Sequence, residues 1–301
     1  MSRIRYLLAV VAVGALLAGC GGRVESEGSA VDRDQAVDLD ASVLGPPQDP
    51  VALIGLWTVA EADGGAGDVL RLGSAPGDGL RLFGRCGAHM GTWRADVNGL
   101  FVADLWGTSG PGDGRDCQPG PEPADTWLHH AVAFRVEADG PVLLDDRGGR
   151  VARLLAGAKP TPGPDTLASL AEPPEVTDEA RRAFAPAAAL PAALTLASRK
   201  SLLGRWMPVD GRRGGPKAAY VELRADGGWR GSDGCNGQGG RWVAGPGGAL
   251  LATDGVSTLI GCDNLPVGTW LASARRAGLD GDVLVLLDAQ GKETGRLRRD
   301  R

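Results

Sequence analysis

The chain has 301 residues and a formal net charge of −5 at pH 7, with 43% hydrophobic and 23% charged residues. A mildly acidic protein is a poor partner for nucleic acid, because phosphates attract basic surfaces. The composition therefore argues against a nucleic-acid partner.

The first residues have the pattern of a secretory signal. Residues 1–5 are basic, residues 6–17 form an almost unbroken apolar run, and Leu17–Cys20 reads LAGC. The run is shorter than the roughly 20 apolar residues that cross a bilayer, and the small residues before Cys20 suit a cleavage site. This end resembles the lipobox of bacterial lipoproteins, in which the cysteine is diacylglycerylated and becomes the mature N-terminus. An ordinary secretory signal with a chance cysteine is the alternative.

We predict a signal peptide over residues 1–19 and lipidation of Cys20, which places the mature chain outside the cytoplasm and anchored to the cell membrane. Its charge changes from −5 to −7, since two arginines leave with the signal. Residues 20–50 are acidic, contain glycine and are poor in aromatics, which predicts a disordered tether.

The rest of the chain contains an internal repeat. The matched pairs are Trp57 and Trp206, Cys86 and Cys235, Trp93 and Trp242, Cys117 and Cys262, and Trp127 and Trp270. The offset is 149 residues for the first pair (206 − 57) and 143 for the last (270 − 127). A loop deletion in the second copy would produce this decrease. The common order indicates a duplicated domain, over residues 51–157 and 200–301, each near the commonest domain size.

Short runs of strand-favouring residues, separated by glycine clusters, fill the second copy. They are Arg205–Val209, Ala219–Arg224, Gly228–Gly231, Arg241–Ala244, Val283–Leu287 and Glu293–Leu297. Pro266–Ala277 has helical spacing and ends before Gly278, and the matching stretch of the first copy is Pro123–Val132. Each copy is therefore predicted to be a small antiparallel sheet with one covering helix.

Residues 158–199 carry seven prolines, which is typical of a semi-stiff linker. Within this segment Thr177–Phe184 has the pattern of a short helix, with Thr177 as its N-cap and Pro186 ending it. The sequence leaves open whether this helix docks on a domain.

The second copy resembles the META domain, also called the HslJ-like family. The features that carry the resemblance are Leu203–Trp206, the turn Gly234–Gly237 with its GCN sequence, Gly261–Cys262, a helix bearing Trp270, and the closing Gly281–Gly291. The first copy is similar but departs at its turn, Arg85–Ala88, and has a longer loop from Gly107 to Pro123. The resemblance implies a cell-envelope location and a mainly β (α+β) fold of two tandem barrel-like domains. It implies little chemistry, because the family has no agreed catalytic residues.

Four cysteines remain after lipidation of Cys20, and an even number in an exported chain predicts disulfides. The alternative is a zinc site in the first copy, formed by Cys86, His89, Cys117, His129 and His130. The second copy keeps both cysteines and contains no histidine, so the pair does not depend on histidines. We therefore predict the disulfides Cys86–Cys117 and Cys235–Cys262, with no metal and no cofactor.

Candidate ligand-binding residues come from two observations. Six of the eight tryptophans form three pairs that match between the copies, which favours a core role, whereas Trp106 and Trp229 have no tryptophan partner and are predicted to be exposed. Asn236, Gln238 and Arg241 lie near the second-copy turn and are weak candidates for a polar rim. The favoured interpretation is that their side chains satisfy the hydrogen bonds of the turn. The chain has no G-x-S-x-G, H-E-x-x-H or phosphate-binding motif, which argues against an enzyme.

These observations predict a non-enzymatic envelope lipoprotein, a tandem module for binding or stress tolerance whose two domains engage an unknown ligand with avidity. The second hypothesis is a secreted inhibitor or interaction protein that presents a disulfide-braced loop, such as Gly107–Pro123. The third is a zinc-dependent hydrolase in the first copy.

Overall fold

Two antiparallel sheets, one for each predicted repeat, make up most of the fold. The structure is a computed structural model and describes residues 39–74, 79–84, 87–109, 127–160, 167–211, 215–258 and 260–300. A mainly β fold with two β domains is confirmed.

The first sheet, called barrel one, has the strand order β5-β4-β3-β2-β1-β8-β7-β6. Its strands are β1 Gly55–Ala60, β2 Val69–Leu72, β3 Leu80–Gly84, β4 Gly87–Ala95, β5 Phe101–Ser109, β6 Ala133–Glu137, β7 Gly140–Leu144 and β8 Arg150–Ala156.

The second sheet, called barrel two, repeats this order as β14-β13-β12-β11-β10-β17-β16-β15, with a short strand β9 added beside β15. Its strands are β9 Thr195–Leu196, β10 Gly204–Pro208, β11 Tyr220–Leu223, β12 Gly228–Ser232, β13 Gly237–Gly245, β14 Ala249–Ala252, β15 Arg276–Asp280, β16 Val283–Leu287 and β17 Glu293–Arg299.

The helices of the described residues are short. They are α1 Ala41–Leu44, α2 Asp178–Ala183, α3 Arg199–Leu202 and α4 Val267–Ser273, together with the 3-10 turns Pro50–Leu53, Trp127–His130, Ala168–Ala171 and Pro246–Gly248.

Both sheets close on themselves at equivalent positions. In barrel two, Ala249 of β14 pairs with Arg276 of β15. In barrel one an isolated bridge joins Leu100 to Ala133, just before β5 and at the start of β6. Leu100 and Ala249 are separated by the repeat offset (249 − 100 = 149), so the barrel-like closure is duplicated with the sequence.

The opening tryptophans show the same local geometry in both barrels. The indole Nε1 of Trp57 donates to the carbonyl oxygen of Leu53 at 2.9 Å, and Trp206 makes the equivalent bond to Leu202 at 2.7 Å. Burying an indole requires a partner for its N–H group, and the preceding helical turn supplies one in each copy. Trp93 and Trp242 also lie in the two barrel cores, which supports the predicted core role of the repeated tryptophans.

The covering helix of the second copy is shorter than the predicted Pro266–Ala277. The chain leaves helix α4 after Ser273, because the N–H of Arg275 donates to Leu287 and the following residues form β15. In the first copy the described part of Pro123–Val132 forms a single 3-10 turn over Trp127–His130, and residues 123–126 lie outside the described residues.

The structure differs from the predicted disordered tether at residues 39–50, which are ordered. Asp40 caps helix α1 through a hydrogen bond from Ser42 N at 2.8 Å, and Val43 and Leu44 are buried. Arg135 of β6 donates to the carbonyl oxygen of Val43 at 2.8 Å, which fixes this segment on the outside of barrel one. The apolar side chains of residues 39–50 cover a face of barrel one, and this packing is enough to order the end of an otherwise polar stretch.

The described residues 167–199 form a strap that docks on both barrels. Helix α2 begins at the predicted cap, where Thr177 accepts a hydrogen bond from Ala180 N, and its Ala180 joins the barrel-one core. Phe184 packs on Trp93 with ring centroids 5.3 Å apart. Further along, Ala188 N donates to Ala289 O at 2.9 Å, so the same segment also contacts barrel two.

The two barrels share an apolar layer formed by their outer faces. Its buried members are Leu39, Val43 and Leu44 before barrel one, Leu100, Val102, Ala133, Val142 and Leu144 of barrel one, and Val243, Ala249 and Leu251 of barrel two. Val102 and Leu251 are again separated by 149 residues (251 − 102), so equivalent strands of the two copies meet in this layer.

Candidate functional site

The turn between β12 and β13 is organised by the buried carboxylate of Asp233. Its Oδ1 accepts hydrogen bonds from the N–H groups of Cys235 at 2.8 Å and Asn236 at 2.5 Å. Its Oδ2 accepts from Nδ2 of Asn236 at 3.0 Å and of Asn264 at 2.6 Å. Burial raises the pKa of Asp233, but these hydrogen bonds outweigh burial and hold the pKa below its ordinary value.

Asn236, a weak candidate for a polar rim, is buried and holds the turn and a neighbouring loop, as the favoured interpretation expected. Its Oδ1 accepts from Thr258 Oγ1 at 2.9 Å and from Ile260 N at 2.6 Å. Its Nδ2 also donates to the carbonyl oxygen of Ile260 at 3.1 Å. The side chain therefore has partners for both its oxygen and its nitrogen, and its role in this geometry is structural.

Cys235 and Cys262 form a disulfide with a Cα–Cα distance of 6.5 Å. This bond joins the same two segments that Asn236 joins by hydrogen bonds. The other predicted pair, Cys86 and Cys117, lies outside the described residues, as does the lipidation site Cys20.

Trp229 is buried, with 4% of its surface exposed, so the predicted exposure of this residue is wrong. Its Nε1 donates to Thr253 O at 2.8 Å inside barrel two. In the alignment of the two copies, Trp229 matches Leu80 (229 − 80 = 149), which is a fully buried residue of barrel one. An apolar match in the other copy, rather than a second tryptophan, was the signal for a core position.

Trp106 is 37% exposed, in contrast to Trp229. It lies on β5 at a bulge, where the register with β4 shifts between Met90 and Gly91. Its indole is an accessible apolar surface at the edge of barrel one.

Gln238 lies on β13 with its Oε1 buried and without a hydrogen-bond partner among the described residues. Gly268 of helix α4 lies against this atom, where a Cβ would collide. The side chain is therefore covered by the helix and is not part of an open rim. Its counterpart in barrel one is His89 (238 − 89 = 149), where burial lowers the pKa of the imidazole.

Arg241 crosses from barrel two to barrel one. Its Nη2 donates to the carbonyl oxygen of His129 at 2.9 Å and to that of Asp226 at 3.1 Å. His129 Nε2 lies 3.6 Å from Oδ1 of Asp104, and both side chains are largely buried. Burial raises the pKa of Asp104 to about 6, against the opposing effect of the positive charge of Arg241. This predicted rim residue thus belongs to the contact between the barrels.

The zinc hypothesis stays a prediction, because Cys86 and Cys117 lie outside the described residues. Within the described residues, no group of three or more histidine, cysteine, aspartate or glutamate side chains is placed to hold a metal ion. His129 is buried and His130 beside it is exposed, so these neighbouring residues point in different directions.

One exposed surface was missed by sequence reasoning. We call it the braced loop and define it as residues 254–258 and 260–262. Val256 and Ile260 are 59% and 61% exposed there, although the disulfide and Asn236 fix the backbone around them. The available signal was the placement of three large aliphatic residues, Val256, Leu259 and Ile260, between a strand and Cys262, in a stretch otherwise made of small and polar residues.

In the part of the chain that the structure describes, no helix has the length and apolar character needed to span a membrane. Comparison with models of known families found no match to this chain. Searches of curated proteins and of solved structures also found no similar protein.

Proposed function

We propose that the protein is a non-enzymatic, lipid-anchored module of the cell envelope that binds a partner protein through the braced loop of barrel two. The observation that carries this proposal is the combination of a fixed backbone with exposed aliphatic side chains at Val256 and Ile260. The META-like sequence features and the lipobox-like end support the location.

Rigidity is the physical reason to favour this loop. A loop that is already ordered loses little conformational entropy on binding, so more of its contact energy appears as affinity. Asn236 and the Cys235–Cys262 disulfide hold the braced loop at two of its residues, Ile260 and Cys262. Exposed aliphatic side chains on such a backbone are typical of protein interaction sites.

The polar residues near the turn support binding over catalysis. Asp233 and Asn236 use their oxygens to hold the backbone, and Arg241 uses its guanidinium to hold barrel one. A catalytic acid, base or nucleophile must instead be able to reach a substrate. The geometry also supports one rigid body over two independently tethered domains, since the barrels share an apolar layer.

Site-specific photo-crosslinking in the native host tests the proposal. A photoreactive amino acid at position 256 or 260 is expected to give one discrete adduct with an envelope protein, identified by mass spectrometry. Val256→Asp, combined with the photoreactive residue at position 260, is expected to remove that adduct.

Leu196 provides the matched control, because it is 58% exposed and lies on β9, outside the braced loop. The proposal is wrong if position 196 gives the same adducts as positions 256 and 260. Deletion of residues 107–123 addresses the inhibitor hypothesis, since an adduct that depends on that segment would move the binding site to barrel one.

A further inference from the structure

An open cleft lies between the end of β10, the start of β17 and helix α4 in barrel two. Its volume is about 400 Å³, which is within the range of small-molecule sites. The described residues that line it include Val209, Trp270, Glu293, Thr294, Gly295 and Arg296. The braced loop contributes none of the described lining residues, so the cleft is a separate feature of barrel two.

The indole of Trp270 is held in place at this cleft. Gly295 of β17 lies against the ring, where an added Cβ would be 2.6–3.0 Å from Cε3, Cδ2 and Cγ. The hydroxyl group of Thr294 donates to the carbonyl oxygen of Trp270 at 3.0 Å, which joins helix α4 to β17. Because the ring is positioned before a ligand arrives, little conformational entropy is lost on binding.

The Nε1–H group of Trp270 is available to a ligand. It donates no hydrogen bond to a described residue, and the nitrogen keeps contact with solvent because the side chain is only half-buried. Each of five other indoles donates to a carbonyl oxygen, namely those of Trp57, Trp93, Trp206, Trp229 and Trp242. An indole with a packed body and an accessible N–H group suits a ligand that is itself partly apolar and partly polar.

Barrel one closes the equivalent position. Trp127 matches Trp270 in the alignment of the copies (270 − 127 = 143), but only 6% of its surface is exposed. Gly65, in the turn after β1, lies against Nε1 and Cδ1 of Trp127 and leaves no room for a Cβ. At the same offset, Ala152 stands in place of Gly295 (295 − 152 = 143). The cleft therefore distinguishes the second copy from the first and is not a requirement of the shared fold.

Polar groups of both charges border the cleft. The side chain of Glu293 is 45% exposed and accepts no hydrogen bond from a described residue. Nη1 of Arg296 lies 3.6 Å from Oε2 of Glu293, and the same guanidinium donates to Asp280 through Nη2. A ligand with a large net charge of either sign would meet a like charge here. A neutral ligand with several hydroxyl groups can instead donate to the carboxylate and accept from the guanidinium.

We propose that this cleft binds a neutral pyranose saccharide. The C–H face of the sugar ring packs on the indole of Trp270 and on Val209, which is 42% exposed. The sugar hydroxyl groups accept from Nε1 of Trp270 and from Arg296, and they donate to the carboxylate of Glu293. This inference does not depend on the proposed function, because the cleft and the braced loop share no described residue.

Nuclear magnetic resonance of the isotope-labelled protein tests the proposal, with maltose, cellobiose and N,N′-diacetylchitobiose as the probes. The Trp270→Phe variant identifies the indole N–H signal of Trp270. We expect at least one of the three sugars to shift this signal, with a dissociation constant in the millimolar range or below. The signal of the buried Trp127 should keep its position. A Trp270 signal that none of the three sugars shifts would overturn the proposal.

Calorimetry with the sugar that binds gives a second measurement, which remains decisive if Trp270→Phe fails to fold. Glu293→Ala removes one hydrogen-bond acceptor from an exposed position, and we expect it to weaken binding roughly tenfold. Lys292→Ala is the matched control, because Lys292 is the exposed neighbour of Glu293 and is not among the lining residues. An affinity that Glu293→Ala leaves unchanged, or that both variants lower equally, would refute binding in this cleft.

Discussion

Asn236 donates through Nδ2 to Oδ2 of Asp233 at 3.0 Å, and both side chains are buried beside the disulfide of barrel two. The carboxylate organises the turn, and the amide carries this organisation to the braced loop. Replacing Asn236 by Ala would leave the N–H of Ile260 without its side-chain acceptor. We expect a loss of about 2–4 kcal/mol in the free energy of unfolding, because a buried polar network is broken.

Urea unfolding measures this loss, with Gln290→Ala as the control at an exposed turn position. An Asn236→Ala protein as stable as the Gln290→Ala protein would show that the network contributes nothing to folding.

Asp104 predicts a pH dependence of stability with a definite sign. Burial raises its pKa from 3.8 to about 6, so folding disfavours the ionised form. The stability linked to this group is fully present below about pH 4 and is lost as the pH rises through about 6. Asp104→Asn should therefore be more stable than the wild type at pH 7.5, by up to roughly 3 kcal/mol, and equal to it near pH 4.

Unfolding curves at several pH values check this expectation. Asp263→Asn changes an exposed carboxylate and should shift no part of the profile. A constant difference between Asp104→Asn and wild type across this range would show that Asp104 is not the titrating group.

The Cys235–Cys262 disulfide closes a loop with a sequence separation of 27 residues. In the chain-entropy model a loop of this length stabilises the folded state by about 3–4 kcal/mol. We expect the double variant Cys235→Ala/Cys262→Ala to unfold at correspondingly lower urea concentration. Because Asn236 still joins the two segments, the braced loop should keep its hydrogen-exchange protection at Ile260 in the folded protein. Loss of protection in this variant would assign the bracing to the disulfide alone.

Phe184 anchors the strap on barrel one through its contact with Trp93. Phe184→Ala removes a largely buried ring and is expected to cost about 3 kcal/mol of stability. It should also accelerate limited proteolysis within residues 167–199. Leu167→Ala is the control, since Leu167 is 70% exposed, and similar proteolysis of both variants would contradict a strap held by Phe184.

Cys20 carries the predicted membrane anchor. Cys20→Ser should move the protein from the membrane fraction to the soluble extracytoplasmic fraction and remove metabolic labelling with a fatty-acid analogue. Membrane retention of this variant would refute lipid anchoring at Cys20.

The repeat made most of the fold predictable, because every strand predicted for the second copy corresponds to one in the structure. Val283–Leu287 has the predicted bounds, and others extend further, as Arg241–Ala244 does within Gly237–Gly245. The end of helix α4 was not predictable from local pattern. Gly278 was interpreted as a signal that ends the helix. In the structure its missing side chain leaves room for Leu190 and Leu194 of the strap, which are distant from it in sequence.

The candidate site was predicted less well for a related reason. Asn236, Gln238 and Arg241 were weak candidates for a ligand-binding rim, and the structure shows that other parts of the chain cover them. Burial of a polar side chain depends on tertiary contacts that periodicity does not contain. The apolar residues Val256 and Ile260 of the braced loop show the converse, because they are exposed although their side chains are of the kind that usually fill a core.

The shared apolar layer brings Val102 of one copy together with Leu251, its equivalent in the other. Two separate single-barrel chains with such faces would associate only above some protein concentration. In one chain the partner face is always present at a high local concentration, so dilution cannot separate the halves. Assembly of this face is therefore a unimolecular step, and its rate is independent of the protein concentration.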